Sequence, residues 1–555
     1  MKRVIRHPIA QIVWLGLALL AVPWLSCIAA RNYTRDELVE DVRYLVDVIE
    51  DAHPDPYIRG GGKIAFHLRL YELLHAIPEK GMSRDAFIKL LRPFIAAIGD
   101  SHTEIWTSYQ VNESQPGGIP FRFGVVEDLL YVLSAVSSSD KEYIGSTLVS
   151  VEGIPAEELC ERQKRLVPLE NDYHVLEEMS SHTLWYAPYL RDLIPEWEDE
   201  ASLTIELRRP TGEVEELMFD LPVFARRLHH PETRLQVPHP PWYGFSYSFL
   251  TPPEEGASLG SGRPFAYLRV DDMTQYGELD EIAGMATSRK PYVTETFRDL
   301  AIDMSEEETE TLIIDLRENG GGDSTMADIL TYFLYGKDVL DKVVGHAPAN
   351  GGGMIVKLSE LYFTSPYNRS LEALNEGREI PWQVGDYDFT LFTGARSVPF
   401  EDLPLEEQHT YIDHRYCERT VTFCEEYESG AYEAYYKPRN VIVLVSPWTF
   451  SSGFTMARFL YLAGATLIGT PSAQAANSFC NADRWVMPNS GIDGQVNRMY
   501  YVEFPIGSDL AHTLPMHHQV TYEELAAYGF DPNAELLLAL DWLRDEALDS
   551  QQEGK

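Results

Sequence analysis

Cysteine is scarce in this chain, five in 555 residues. None forms a CxxC pair, which removes zinc-finger and thioredoxin-type readings. Cys27 lies in the N-terminal segment, and Cys160, Cys417, Cys424 and Cys480 remain. Cys417 and Cys424 are close enough to close a short loop, but four cysteines permit three pairings and the sequence does not choose among them. Positive charge is also scarce: 45 Lys and Arg stand against 86 Asp and Glu, a formal net charge of -41. Such a surface repels phosphate backbones and anionic headgroups, so it argues against nucleic acid as a partner. No HExxH occurs, and His229-His230 and His517-His518 are adjacent pairs whose side chains diverge in a regular element, so neither a metal nor a cofactor is called for. No internal repeat is found.

What is present is ample apolar material, 45% hydrophobic and 12% aromatic residues. The length exceeds one hydrophobic core, so two or three domains are expected, with disorder only near the tail Gln551–Lys555. Met1-Lys2-Arg3 and Arg6 precede a largely apolar run from Ile9 to Leu25, followed by small residues through Ala30. This reads as an export signal over residues 1–30. Trp24-Leu25-Ser26-Cys27 is similar to a lipoprotein cleavage box. Periplasmic, extracellular and membrane-anchored locations therefore stay open, as do lipidation of Cys27 and self-association.

The mature chain divides by texture. Residues 31–117 read as a helical unit. Thr34-Arg35-Asp36-Glu37 is a capping box, Leu38, Val42, Leu45, Val46 and Ile49 form one helical stripe, and His53-Pro54-Asp55-Pro56 ends it. Two more helices are expected over about 64–77 and 83–98. Residues 118–225 read as a β-rich domain with a peptide-binding edge and one helix near 156–166. Residues 226–262, rich in Pro, Gly and Ser, read as a linker. Residues 263–550 alternate strand and helix, with apolar strands at 266–270, 312–316 and 441–445. That pattern implies an α/β layer with a sheet buried on both faces. The polar, aromatic stretch of about 345–435 reads as an insertion.

Three segments carry chemistry. Asp315-Leu316-Arg317-Glu318-Asn319-Gly320-Gly321-Gly322-Asp323 follows a buried strand. Its glycines make either a tight turn or a cradle of amides for an oxyanion, and the Lys-Ser/Thr ending of a P-loop is missing. Thr449-Phe450-Ser451-Ser452-Gly453 follows another buried strand at a helix start, where a serine is either an N-cap or a presented nucleophile. Gly99-Asp100-Ser101-His102-Thr103 supplies a histidine that is either structural or the base a nucleophilic serine needs.

In their order and spacing these segments resemble the tail-specific or C-terminal-processing serine peptidases, in the branch that includes tricorn proteases. The resemblance implies a crotonase-like (ClpP-like) spiral core, with residues 118–225 PDZ-like. It implies Ser451 as nucleophile, His102 as general base with Ser101 beside it, and an oxyanion hole from amides of Gly320 or Gly321 and Ser452. The acid of the tetrad falls near Asp509, with Glu503 as rival. The dyad branch keeps a lysine after its Gly-x-Pro segment. Here Gly469-Thr470-Pro471 is followed by Ser472-Ala473-Gln474-Ala475-Ala476-Asn477, without lysine, which leaves the histidine mechanism. The implied activity is hydrolysis of a peptide or protein substrate. An inactive relative binding a peptide or small hydrophobic ligand, as in retinoid carriers of this fold, and an esterase are the alternatives.

Overall fold

A computed structural model describes residues 31–106, 117–197, 201–221, 227–240, 244–253, 264–274, 293–365, 368–389, 423, 427–429 and 437–553. The N-terminal segment read as an export signal, with Cys27, as well as Cys417 and Cys424, lies outside these residues. The described part is a mixed α/β fold with several sheets.

The central sheet runs in chain order: β1 (Phe245–Leu250), β2 (Phe265–Val270), β3 (Thr311–Asp315), β4 (Asn440–Val445), β5 (Thr466–Gly469) and β6 (His518–Gln519). β1 pairs antiparallel with β2, and the remaining neighbours are parallel. The apolar runs of β3 and β4 serve two faces by simple alternation. Leu312, Ile314, Val441, Val443 and Val445 join the cluster formed with the helices Val293–Glu306, Thr325–Tyr335 and Ser452–Leu462. Ile313, Ile442 and Leu444 join the opposite cluster with Leu536, Leu537 and Leu540 of the C-terminal helix Ala534–Glu553. β1 falls inside the stretch read as a linker; its Phe-Ser-Tyr-Ser-Phe alternation suits an edge strand, and the flanking prolines masked it. The C-terminal helix likewise extends into the tail read as disordered.

A second sheet fixes the site. The hairpin Ser478–Val486 and Asp493–Val502 pairs on one side with Gly353–Lys357, which ties the supposed insertion into the core. At its far end it takes up Glu104–Ile105, the two residues just after the His102 segment, with Gly494 opposite Ile105 and Gln495 opposite Glu104. The N-terminal helices Arg35–Ala52, Gly62–Ala76 and Arg84–Ala96 form where expected, the first with its capping box complete. They are not a self-contained unit, because their core includes Trp485, Met487, Ile492 and Val496 of the hairpin.

The third sheet, residues 121–220, is antiparallel with the order Phe121–Val126, Leu129–Ala135, Thr147–Val151, Ser202–Arg208, Val214–Asp220. Besides the expected helix at Ala156–Gln163 it carries Asp172–Glu178 and Ala187–Leu193, which sequence reading missed. No helix among the described residues is long and apolar enough to cross a membrane. Cys160 and Cys480 are free thiols.

Trp485 is 2% exposed and seals the helices to the hairpin. Trp485→Ala should cost about 3–5 kcal/mol, the usual range for emptying a large buried site. Limited proteolysis should then release the N-terminal segment well before the central sheet is cut.

Candidate active site

Ser451 stands at the corner between β4 and the helix Ser452–Leu462, with φ 50° and ψ -118°. A non-glycine residue there is strained, as in the sharp strand-to-helix turns that present a nucleophile. Its surroundings hold it. Phe450 N donates to Asn319 O (2.9 Å), Ser451 N donates to Gln474 Oε1, and Thr449 Oγ1 donates to Leu316 O (2.7 Å). The Ser451 hydroxyl makes no hydrogen bond with any described residue. The neighbouring hydroxyl is committed, since Ser452 Oγ donates to Gly322 O at 2.6 Å.

The glycine run packs against this corner. A Cβ on Gly321, where φ is 116°, would lie 2.6 Å from Ser451 Cβ and 3.0 Å from Ser452 N, so only glycine fits. Asn319 shapes the turn by donating to Val270 O (3.0 Å) and accepting from Gly321 N (2.9 Å). That bond takes Gly321 N out of use, and of the two glycine amides expected at an oxyanion hole only Gly320 is left to act beside Ser452 N. The Asp-Leu-Arg beginning of the motif has a structural task. Asp315 accepts from Tyr267 OH (2.6 Å) and Arg317, and Arg317 reaches Glu535 at 2.7 Å, locking the end of β3 to the C-terminal helix.

The His102 loop is organised by Asp100, which is fully buried. Its carboxylate accepts from His53 Nε2 (3.1 Å), Thr103 Oγ1 (2.6 Å), the His102 amide (3.1 Å) and Asn497 Nδ2 (2.8 Å to each oxygen). Burial alone would raise its pKa; the hydrogen bonds and the charges of His53 and His102 overcome that and hold it well below the usual carboxylate range. Arg59 adds a second tie, donating to Gly99 O (2.7 Å) and Asn477 O (2.8 Å).

The carboxylate beside His102 is Glu170, 3.9 Å from Nδ1. Ser101 lies between them: its Oγ donates to Glu170 Oε1 at 2.6 Å and is 3.5 Å from His102 Nδ1. The other oxygen, Oε2, accepts from Ala475 N at 2.9 Å, in the segment that also supplies Gln474 to Ser451. Burial raises the Glu170 pKa against the opposing charges of Arg59 and His102. The His102 ring packs 5.4 Å from that of Phe450, the residue before Ser451. Asp509 and Glu503 are not at this place. Asp509 opens a short 3-10 turn, Asp509–Ala511, and forms no ion pair with His102. Glu503 is engaged elsewhere by Arg458 (2.5 Å), His346 (2.5 Å) and Tyr501 (2.8 Å). A count along the chain from Ser451 led to both, whereas the carboxylate nearest His102 Nδ1 comes from a loop in the β-rich domain.

Two triads, Asp100–His102–Glu170 and His174–Glu177–Glu178, bring one ligand atom from each residue within 4.8 Å of the others. In the first, Asp100 and Glu170 already accept the hydrogen bonds described. In the second, His174 Nδ1 accepts the Glu170 amide (3.3 Å), so the neutral ring carries its proton on Nε2 and has no lone pair there for a metal.

Residues 264–500 match the model of peptidase family S41. That stretch holds the glycine run, Ser451 and the hairpin, and leaves His102 and Glu170 outside. Among solved structures, mature CPAF complexed with lactacystin is similar in fold, with a TM-score of 0.51 and 16% identity over 91% of this chain and 99% of that one. Mature CPAF alone gives a TM-score of 0.51 and 15% identity over 91% and 98%. The photosystem II D1 C-terminal processing protease is more distant, at a TM-score of 0.36 and 12% identity over 88% and 93%. A search of curated proteins gave no match.

His174 packs on the other flank of Phe450, at 5.4 Å. Burial, with the charges of His102 and Arg59, pushes its pKa down from 6.5 to about 3. The unfolded chain therefore binds this proton at higher pH than the folded chain does. The contribution is fully present above about 6.5 and is lost as pH falls toward about 3. Urea unfolding across this window should show stability falling with pH, and His174→Gln should make the fall shallower. An unchanged slope would mean that His174 is not held neutral.

Proposed function

We propose that the protein is an exported serine peptidase that cleaves peptide bonds through an acyl-enzyme on Ser451, with His102 as general base. One observation carries the reading. Ser451 sits strained on a helix start with its hydroxyl unengaged, against a glycine turn so close that a Cβ on Gly321 would lie 2.6 Å from Ser451 Cβ, while a histidine backed by a buried carboxylate packs one residue away. The S41 match and the CPAF-like fold agree with it.

In the reaction, Ser451 Oγ attacks the peptide carbonyl carbon and its proton passes to His102. The carbonyl oxygen, now anionic, is stabilised by the amides of Gly320 and Ser452. The C–N bond breaks as His102 returns the proton to the leaving amine, and water, deprotonated by His102, then releases the acyl group. Ser101, whose hydroxyl proton goes to Glu170, accepts from Nδ1–H and so fixes the ring and its tautomer, with the Glu170 charge behind it; Glu170 takes the part that spacing had assigned to Asp509. We read the core as of the crotonase-like spiral type, and the chain-order advance of its central sheet is compatible with that reading. Residues 118–225 act as a PDZ-like domain. Export rests on the sequence of residues 1–30. The esterase alternative uses the same chemistry, and the ligand-carrier alternative is disfavoured by the unengaged serine.

Turnover of a fluorogenic peptide tests the assignment. Ser451→Ala should abolish it, and Ser452→Ala, which loses only the bond to Gly322, should keep most of it. Glu170→Gln should lower kcat by roughly 10²-fold or more with little change in KM, the pattern of a disturbed base. Asp509→Asn should be close to the parent. Full activity in Ser451→Ala, or a larger loss from Asp509→Asn than from Glu170→Gln, would contradict the scheme.

A further inference from the structure

Beside the His102 loop lies a cavity of about 310 Å³, enclosed between the N-terminal helices and the β-rich domain. Ser101 and His174 form part of its wall, as does His182, whose ring lies 6.2 Å from that of Trp448. Trp448 in turn reaches Gly320, with Nε1 3.7 Å from where a Cβ there would stand. The cavity therefore lies beside the His102 loop, and Trp448 stands between its His182 wall and the glycine turn.

Its lining holds more carboxylate than it has cations to pair. Of the charged groups, Arg92 is spent on Asp192, which also takes Lys89 at 2.6 Å. Glu104 and Glu178 remain. Neither has a Lys or Arg within 4 Å among the described residues. Glu104 accepts from Trp106 Nε1 (3.0 Å), and Glu178 has His174 (3.9 Å), His182 (3.7 Å) and the like-charged Glu177 near it. Burial lowers the pKa of both histidines and raises those of Glu104 and Glu178, so the carboxylates are held short of charge compensation and an incoming cation would favour their ionised form. A third acceptor is independent of these. Gln163, 2% exposed, donates Nε2 to Thr183 Oγ1 (2.9 Å), while its Oε1 has no partner. A buried acceptor without a donor is costly, and it marks a place where a donor is missing.

Two uncompensated carboxylates and an orphan amide oxygen in one pocket ask for a cation with several N–H groups in fixed directions. A guanidinium, with five donors in a planar fork, meets that demand. We propose that this cavity is a specificity pocket for an arginine side chain of the peptide substrate, held by Glu104, Glu178 and Gln163. The proposal rests on the peptidase reading above and names the substrate class for it.

Binding and turnover test it separately. Octapeptides carrying arginine at one position at a time, and their citrulline counterparts of equal shape but no charge, would be titrated calorimetrically into full-length Ser451→Ala. At one position arginine should bind about 10-fold tighter or more, as for a charge-assisted contact. In the background of Glu104→Gln with Glu178→Gln the ratio should fall below about 3-fold. Glu178→Gln alone serves as a milder variant, expected to give an intermediate ratio if the double substitution does not fold. The same pairs cleaved by the parent chain should show the same preference in kcat/KM. Equal binding of arginine and citrulline peptides at every position, or a preference that survives the substitutions, overturns the pocket. A parent chain that does not react with fluorophosphonate overturns the peptidase reading instead, while the binding ratio still reports on the cavity.

Discussion

The arrangement depends on one buried carboxylate. Asp100 has no access to solvent, and its oxygens gather His53 from the first helix end, Thr103 and the His102 amide from its own loop, and Asn497 from the core hairpin. A charge in that place is tolerable only because hydrogen bonds surround it. The consequence is that a loop some 350 residues before the nucleophile is held on the hairpin that lines the site. The short pairing of Glu104–Ile105 with Gly494 and Gln495 continues the same attachment. Removing any one partner leaves the others facing an unsatisfied buried charge, so the loop is held as a unit.

The second constraint is backbone crowding at the nucleophile. Gly321 has to lack a side chain because Ser451 Cβ occupies the space, and Gly453 is limited in the same way, since a Cβ there would meet Asn319 Oδ1 at 2.5 Å. Asn319 thus lies between two glycines and spends both ends of its amide on the turn. The segment after Gly469-Thr470-Pro471 closes the arrangement: Ser472 Oγ donates to Thr449 O (2.5 Å), Gln474 takes the Ser451 amide, and Ala475 N takes Glu170. Where a lysine would stand in a dyad enzyme, this chain uses an amide and a backbone N–H to connect the Ser451 corner to Glu170.

Local signals were legible. The capping box at Thr34, the apolar runs of β3 and β4, and the glycine turn before the helix Thr325–Tyr335 were read correctly, because each is decided by residues a few positions apart. Contacts across the fold were not. Glu170 sits just ahead of the N-cap Asn171, in a loop whose composition says nothing of chemistry, and only tertiary packing brings it to His102. His53 was read as part of a helix stop and proved to be a hydrogen-bond partner of Asp100. The sharing of a core between the N-terminal helices and Trp485, and the edge strand β1 among prolines, escaped for the same reason: a period or a cap does not report what lies opposite.

The proposed reading puts the chemistry on a strained serine whose base is delivered from a distant loop. The most direct measurement is peptide mapping by mass spectrometry after reaction of the full-length protein with a fluorophosphonate. The account predicts a single adduct on the peptide containing Ser451, located on that residue and not on Ser452. It further predicts that His102→Ala slows the labelling roughly 10²-fold or more. An adduct on another serine, or labelling of Ser451 at an undiminished rate without His102, would contradict it.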